Sequence, residues 1–156
     1  MPKPCEPAVP SPAELWQATQ ALYREPGVEA LCLQAQDKAG ADINLLLLLV
    51  LLARRGQGAL LPPLLATSQR QAAVLQPWRA LRRRLKARVE TSDYQALLAH
   101  ELALEQWAQE GLLSTLTLGK GHGLTDYLTH LGLDQSPLHP ALLALATPTA
   151  PESAPC

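Results

Sequence analysis

Apolar residues recur along this chain at helical spacing, three to four positions apart, in one segment after another. Leu15, Trp16, Thr19, Leu22 and Tyr23 share one face of a first helix. Ser11 is its N-cap, Pro12 occupies its first position and Glu14 is placed to close a capping box, so the pattern predicts a helix to about Arg24, broken by Pro26 and Gly27. A second helix follows from Val28 to about Ala39, with Val28, Leu31, Cys32 and Ala35 inward and Gly40 as its stop. The third segment differs in kind. Asp42 caps it, Leu45 to Ala53 are nine consecutive apolar residues, and Arg54, Arg55 and Gly56 close it with cations and a glycine. A run that apolar has no solvent face, so this helix is expected at the centre, wrapped by the others. A bilayer crossing takes about 20 apolar residues, roughly twice this run, so no membrane span is predicted.

Beyond it, Pro62 and Pro63 open a fourth helix with Leu65, Ser68, Ala72 and Leu75 on one side, and Pro77 is read as ending it. A fifth helix, Trp78 to about Val89, spaces Trp78, Leu81, Leu85 and Val89 for burial. Ser92 and Gln95 form a second capping-box pattern that starts a sixth helix from Asp93 to Leu113, antiparallel to the fifth. Residues 117 to 123 read as a glycine-rich hinge; Leu124, Tyr127, Leu128 and Leu131 make a short helix closed by Gly132, and Leu138 to Ala146 a weakly held helical turn. The expectation is an all-α, compact bundle of about six to seven helices around a buried leucine-rich third helix. Residues 1–10, with four prolines, are expected to be a disordered tail, 11–134 a single helical domain and 135–156 a weakly structured tail.

Composition reinforces this pattern. Of 156 residues 47% are hydrophobic, aromatics are 4% and phenylalanine is absent, a balance that favours leucine-packed helices over strands. A net charge of −1 supplies no general attraction to nucleic acid or anionic membrane, so either would need a local patch. Cys5, Cys32 and Cys156 are too few and scattered for a disulfide framework, and Met1 to Pro4 lack the apolar run of a secretory signal; a cytoplasmic setting is expected.

The one dense charge feature is Arg79, Arg82, Arg83, Arg84, Lys86 and Arg88 on the fifth helix. Such a helix meets an acidic partner or phosphates; alternatively, Glu90, Asp93, Glu101, Glu105 and Glu110 of the next helix neutralise it internally. With no aromatic interleaving, nucleic acid is the least favoured of these. A second cluster, Asp37, Asp42 and Asn44, lacks calcium-loop spacing because Ala39, Gly40 and Ala41 stand where oxygens are needed. Capping accounts for Asp42 and the helix dipole for Asn44; turned inward, Asn44 would be a buried amide that specifies helix packing. Glu101 and Glu105 share a face, but no Glu-x-x-His motif accompanies them, and Gly119 to Gly123 lacks the Ser or Thr and the preceding strand of a phosphate loop. His122, His130 and His139 lack the cysteine or acid spacing of a metal site. No catalytic motif, metal site or cofactor is predicted, which leans against an enzyme.

Leu15-Trp16, Ala21 to Tyr23 with Pro26 to Glu29, Cys32 to Gln34 with Gln36-Asp37, Gly40 to Leu47, Arg55-Gly56, Pro77 to Arg79, Leu81 to Lys86 and Tyr127-Leu128 with Leu131-Gly132 carry a resemblance. On these residues the chain is similar to a small uncharacterised bacterial family, chiefly gammaproteobacterial. The resemblance implies an all-helical fold and a cytoplasmic setting and supplies no activity. It departs in lacking an additional aromatic in the third helix and a longer stretch between Pro77-Trp78-Arg79 and the basic run. The function expected from the residues is that of a helical adaptor or regulator, which binds another protein through Trp78, Arg79, Arg83 and Arg88. The alternative is an enzyme or ligand-binding protein with a polar pocket at Asp37, Asp42 and Asn44. Leucine excess leaves self-association open.

Overall fold

The computed structural model describes residues 9–119 and 122–147. The expectation of disorder for the N-terminal prolines therefore lies almost wholly outside the described residues, as do Cys5, Cys156, the last residues of the C-terminal tail and the centre of the glycine hinge. Among the described residues the order is α1 (Pro12–Tyr23), α2 (Val28–Ala39), α3 (Ile43–Arg54), β1 (Gly58–Ala59), α4 (Leu61–Leu85), α5 (Thr91–Thr115), β2 (Leu118–Gly119), α6 (Gly123–His130) and α7 (Leu138–Ala144). The fold is all-α, and its strands are a two-residue antiparallel clip, Gly58 opposite Gly119 and Ala59 opposite Leu118, that ties the α3–α4 link to the α5–α6 link.

The central helix is α3. Leu45, Leu46 and Val50 are completely shielded, and Leu48, Leu49 and Leu52 nearly so, because α1, α2, α5 and α6 all pack on it. Each such leucine contributes roughly 1.5–3 kcal/mol of transfer free energy, so this one helix dominates the core. Around it, α1 buries Leu15, Thr19 and Leu22, and α2 buries Val28, Cys32 and Ala35, the faces their spacing predicts. Ser11 caps α1, its hydroxyl accepting the Glu14 N–H at 3.2 Å. Burial pushes the Cys32 thiol up to about 11, which leaves it an inert packing residue. The turn read from Leu138 to Ala146 is α7, which sets Leu138 and Leu142 into the core, and Arg54 binds the Leu145 carbonyl at 2.7 Å while clasping Glu25 through both nitrogens.

Two sequence expectations fail at the long helices. Pro77 does not divide α4: one helix runs from Leu61 to Leu85 with the proline inside it. A mid-helix proline costs about 3 kcal/mol because the carbonyl four residues earlier loses its donor. Here that carbonyl belongs to Ala73, and both residues lie on the exposed side, where the carbonyl is open to solvent, while α5 braces both halves. The capping box at Ser92 is also not formed. Helix α5 already begins at Thr91, with the Tyr94 N–H bonded to the Glu90 carbonyl, because Tyr94 is pinned to α4 by Arg82 at 3.0 Å and by Lys86 above its ring.

Candidate functional site

Beside the core, α4 and α5 continue together as a two-helix arm. The last buried residue of α4 is Leu75 and the first of α5 is Ala108, so no residue from Gln76 to Trp107 is buried. The arm is held by polar and aromatic contacts: Arg79 to Glu105, Arg82 to Glu101 at 2.8 Å and to the Tyr94 hydroxyl, and Trp78 edge-on to His100 with ring centres 6.5 Å apart. The internal neutralisation weighed for the basic helix is therefore half realised. Arg79 and Arg82 have carboxylate partners, whereas Arg83, Arg84, Lys86 and Arg88 are exposed and, among the described residues, have none.

The burial predicted for Trp78, Leu81, Leu85 and Val89 does not occur. Leu81 is 42% exposed and the other three are half-buried, since among the described residues α5 is the main element packed on α4 beyond Leu75. Val74, Pro77, Trp78 and Leu81 instead form a stripe that, with His100 and Leu104, lines an open and largely apolar groove of about 580 Å³. Trp107, 45% exposed, extends the apolar character along α5.

On another face of α4 lies a cleft of about 480 Å³, walled by Gln36, Asp37 and the Gly40–Asp42 link on one side and by Ser68, Gln69, Ala72, Leu75, Gln76, Arg79 and Arg83 on the other. Four of the sequence-selected residues meet here: Asp37 and Asp42 from one cluster, Arg79 and Arg83 from the other. Trp78 faces the apolar groove, and Arg88 lies in the exposed turn after α4, joined to neither. The link can pass tightly under the cleft because Gly40 sits at φ +69°, a left-handed conformation that favours glycine.

Asp42 is a genuine cap: Oδ1 accepts the Leu45 N–H at 3.3 Å. It is more than that, since Oδ2 accepts the Ser68 hydroxyl at 2.6 Å and the Asp42 N–H donates to the Tyr127 hydroxyl at 2.9 Å. Burial raises the Asp42 carboxyl above its ordinary value against these two bonds, with Glu105 adding a like charge nearby. Burial likewise pushes Tyr127 up to about 12. Asn44 takes the inward of its two placements. Its amide donates to Glu105 at 2.5 Å and accepts from Gln109 at 3.2 Å, and Gln109 also donates to Thr19 at 2.9 Å. A polar chain thus runs from Thr19 in the core through Gln109, Asn44 and Glu105 to Arg79 at the cleft. Nothing in the sequence pairs Thr19 with Gln109 across 90 positions; the only hint is that each is a polar residue at an apolar helical position. Among the described residues no group of three or more His, Cys, Asp or Glu side chains is arranged to hold a metal.

Fold and site together define an all-helical protein with a buried central helix, a protruding two-helix arm and a charged cleft at the arm's root. The chain belongs to the family described as "Protein of unknown function (DUF2390)", which matches residues 14–112 and so takes in α1 through most of α5, the whole arm and every residue of the cleft wall. No curated protein and no solved structure matches the chain.

Proposed function

We propose that this protein is an adaptor whose α4–α5 arm captures an amphipathic, acid-flanked helix of another protein. The observation that carries the reading is the arm's surplus: from Gln76 to Trp107 nothing is buried, yet Trp78, Leu81 and Trp107 are presented there in helical register with Val74 and Leu104. Side chains of this kind, exposed contiguously, mark interaction sites, and an apolar helix face laid into a groove is a standard recognition mode. Trp is among the residue types that anchor interfaces. The charge at the end of α4 selects the partner, since Arg83, Arg84, Lys86 and Arg88 have no counter-charge among the described residues and favour carboxylates flanking the apolar face. Trp78, Arg83 and Arg88 are accordingly contact residues in this reading, whereas Arg79 is committed to Glu105. Binding in the cytoplasm fits the absence, among the described residues, of a helix long and apolar enough to cross a membrane.

Site-specific photo-crosslinking from position 81 in cells tests the reading, with position 33, exposed on α2, as control. The expected product is a heterologous protein joined through an acidic amphipathic helix, its affinity reduced at least about tenfold, or 1.4 kcal/mol, by Leu81→Asp and again by replacing Arg83 and Arg88 with Ala. Retained binding in all these variants overturns it. A crosslink only to a second copy, with mass doubling on concentration, assigns the arm to self-association instead.

A further inference from the structure

Apart from Arg83 at its rim, the cleft at the root of the arm is unused by that reading, and its charges are segregated. At the inner end, the Asp42 carboxylate is half-buried and accepts from neutral donors, the Leu45 N–H and the Ser68 hydroxyl. No cation pairs with it among the described residues: Arg79, on the opposite wall, is engaged by Glu105. A carboxylate withdrawn from water without a counter-charge is costly, and a ligand cation placed beside it removes that cost. Two further features favour positive charge there: Asp37 lines the same end, and α2 points its C-terminus at it, closed by Gly40. The outer end carries the opposite sign. Arg83 lines the cleft with no carboxylate partner among the described residues and presents a planar fork suited to an anionic oxygen pair. Between the two ends the one charged wall residue, Arg79, is already paired with Glu105, while Ala72 and Leu75 offer apolar contact and Gln69 and Gln76 amide donors and acceptors.

We infer that this cleft binds an elongated small zwitterion, a peptide of about three residues, with its ammonium group at Asp42 and Asp37 and its carboxylate at Arg83. The fifteen steps from Ser68 to Arg83 rise about 22 Å along α4, of which the Arg83 and Asp42 side chains span part, and an extended tripeptide of about 10 Å fits the remainder. A volume of 480 Å³ lies within the usual range of small-molecule sites. The termini of such a peptide meet both uncompensated charges at once, which neither a polyamine nor a simple anion does.

Titration calorimetry of the full chain with trialanine, N-acetyl-trialanine, trialanine amide and spermidine tests the site. Trialanine is expected to bind with Kd below about 1 mM, and blocking either end to weaken it about tenfold or more. Arg83→Gln, on the surface, is expected to erase the preference for the free carboxylate over the amide. Asp37→Asn and Asp42→Asn are expected to erase the preference for the free amine over the acetylated form, and Leu81→Asp on the arm to change neither. Absence of trialanine binding at about 10 mM, tight spermidine binding in its place, or an unchanged carboxylate preference in Arg83→Gln overturns the assignment. Arg83 serves both readings, but these readouts are taken on the purified chain with no partner present. The Asp37 and Asp42 variants touch only the cleft, so failure of the cleft site and failure of the arm reading are distinguishable.

Discussion

The two halves of this molecule are held together by different physics. At the compact end, α3 is enclosed by α1, α2, α5 and α6, and close-packed leucine does the work: Leu45, Leu46 and Val50 expose nothing. Along the arm, α4 and α5 have only each other. Two helices in contact cannot shield a side chain from every direction, so the pair relies on directional contacts, Arg79 with Glu105, Arg82 with Glu101 and Tyr94, and Trp78 with His100. Contacts of that kind contribute little each when near water. The difference explains why apolar residues are spent inside at one end and left facing solvent at the other, and why the cleft forms where the two regimes meet.

The sharpest break of this contrast is a charge placed in each half. Leu48→Asp is expected to abolish a cooperative thermal transition, since a carboxylate at a 1%-exposed site costs more than about 4–5 kcal/mol. Leu81→Asp on the arm is expected to move stability by no more than about 0.5 kcal/mol in urea titration. An intact transition in the first variant would mean that α3 is not interior. Next comes Asn44→Ala, which strips Glu105 and Gln109 of a buried partner and is expected to cost about 1–3 kcal/mol. Arg82→Ala, breaking an ion pair on the arm, is expected to cost about 0.2–1 kcal/mol, and equal losses would erase the distinction between the two ends.

An effect of comparable size, and of either sign, is expected at Gly111, where α5 still touches the core side of α4. An added Cβ would lie 2.4 Å from the Gln71 Nε2, whose bond to the Ala108 carbonyl at 2.8 Å must then break. Gly111→Ala is therefore expected to destabilise by about 1 kcal/mol despite the better helix propensity of alanine. In a Gln71→Ala background the same change is expected to stabilise by up to about 1 kcal/mol, and a double-mutant cycle reads the reversal.

The smallest effect is in pH. Burial raises the folded-state Asp42 carboxyl, so its stabilising contribution is complete below the ordinary carboxylate range and is lost as pH rises through the folded value. Asp42→Asn keeps a capping side chain and removes the titration, so its melting temperature relative to the parent is expected to rise from pH 4 to pH 7 (about the carboxylate range and above). Glu25, drawn down by its bond to Arg54, has the opposite sense: its contribution is present above the ordinary value and lost as pH falls through the lowered one. It cancels from the comparison because both proteins share it.

Local signals in the sequence were sufficient wherever a residue's role depended on neighbours three or four positions away. Ser11 and Asp42 cap as their positions imply, Gly40 ends α2 in a left-handed turn, and the unbroken apolar run of α3 required cover on all sides. The same signals misjudged the long helices. Pro77 reads as a stop until α5 lies alongside to brace both halves, and Ser92 reads as a cap until Tyr94 is held by Arg82 and Lys86.

For the site, the relevant residue types were legible but their grouping was not. Asp37 and Asp42 stand on one side of the cleft, Arg79 and Arg83 on the other, brought together by packing between segments some forty positions apart. Trp78 and Leu81 carry helical spacing that is the same for a face turned to a core and a face turned to water; what decides is that, among the described residues, no third helix lies beside the arm. Periodicity is a property of the chain, whereas burial is a property of what else arrives at the surface, and that was decided in three dimensions.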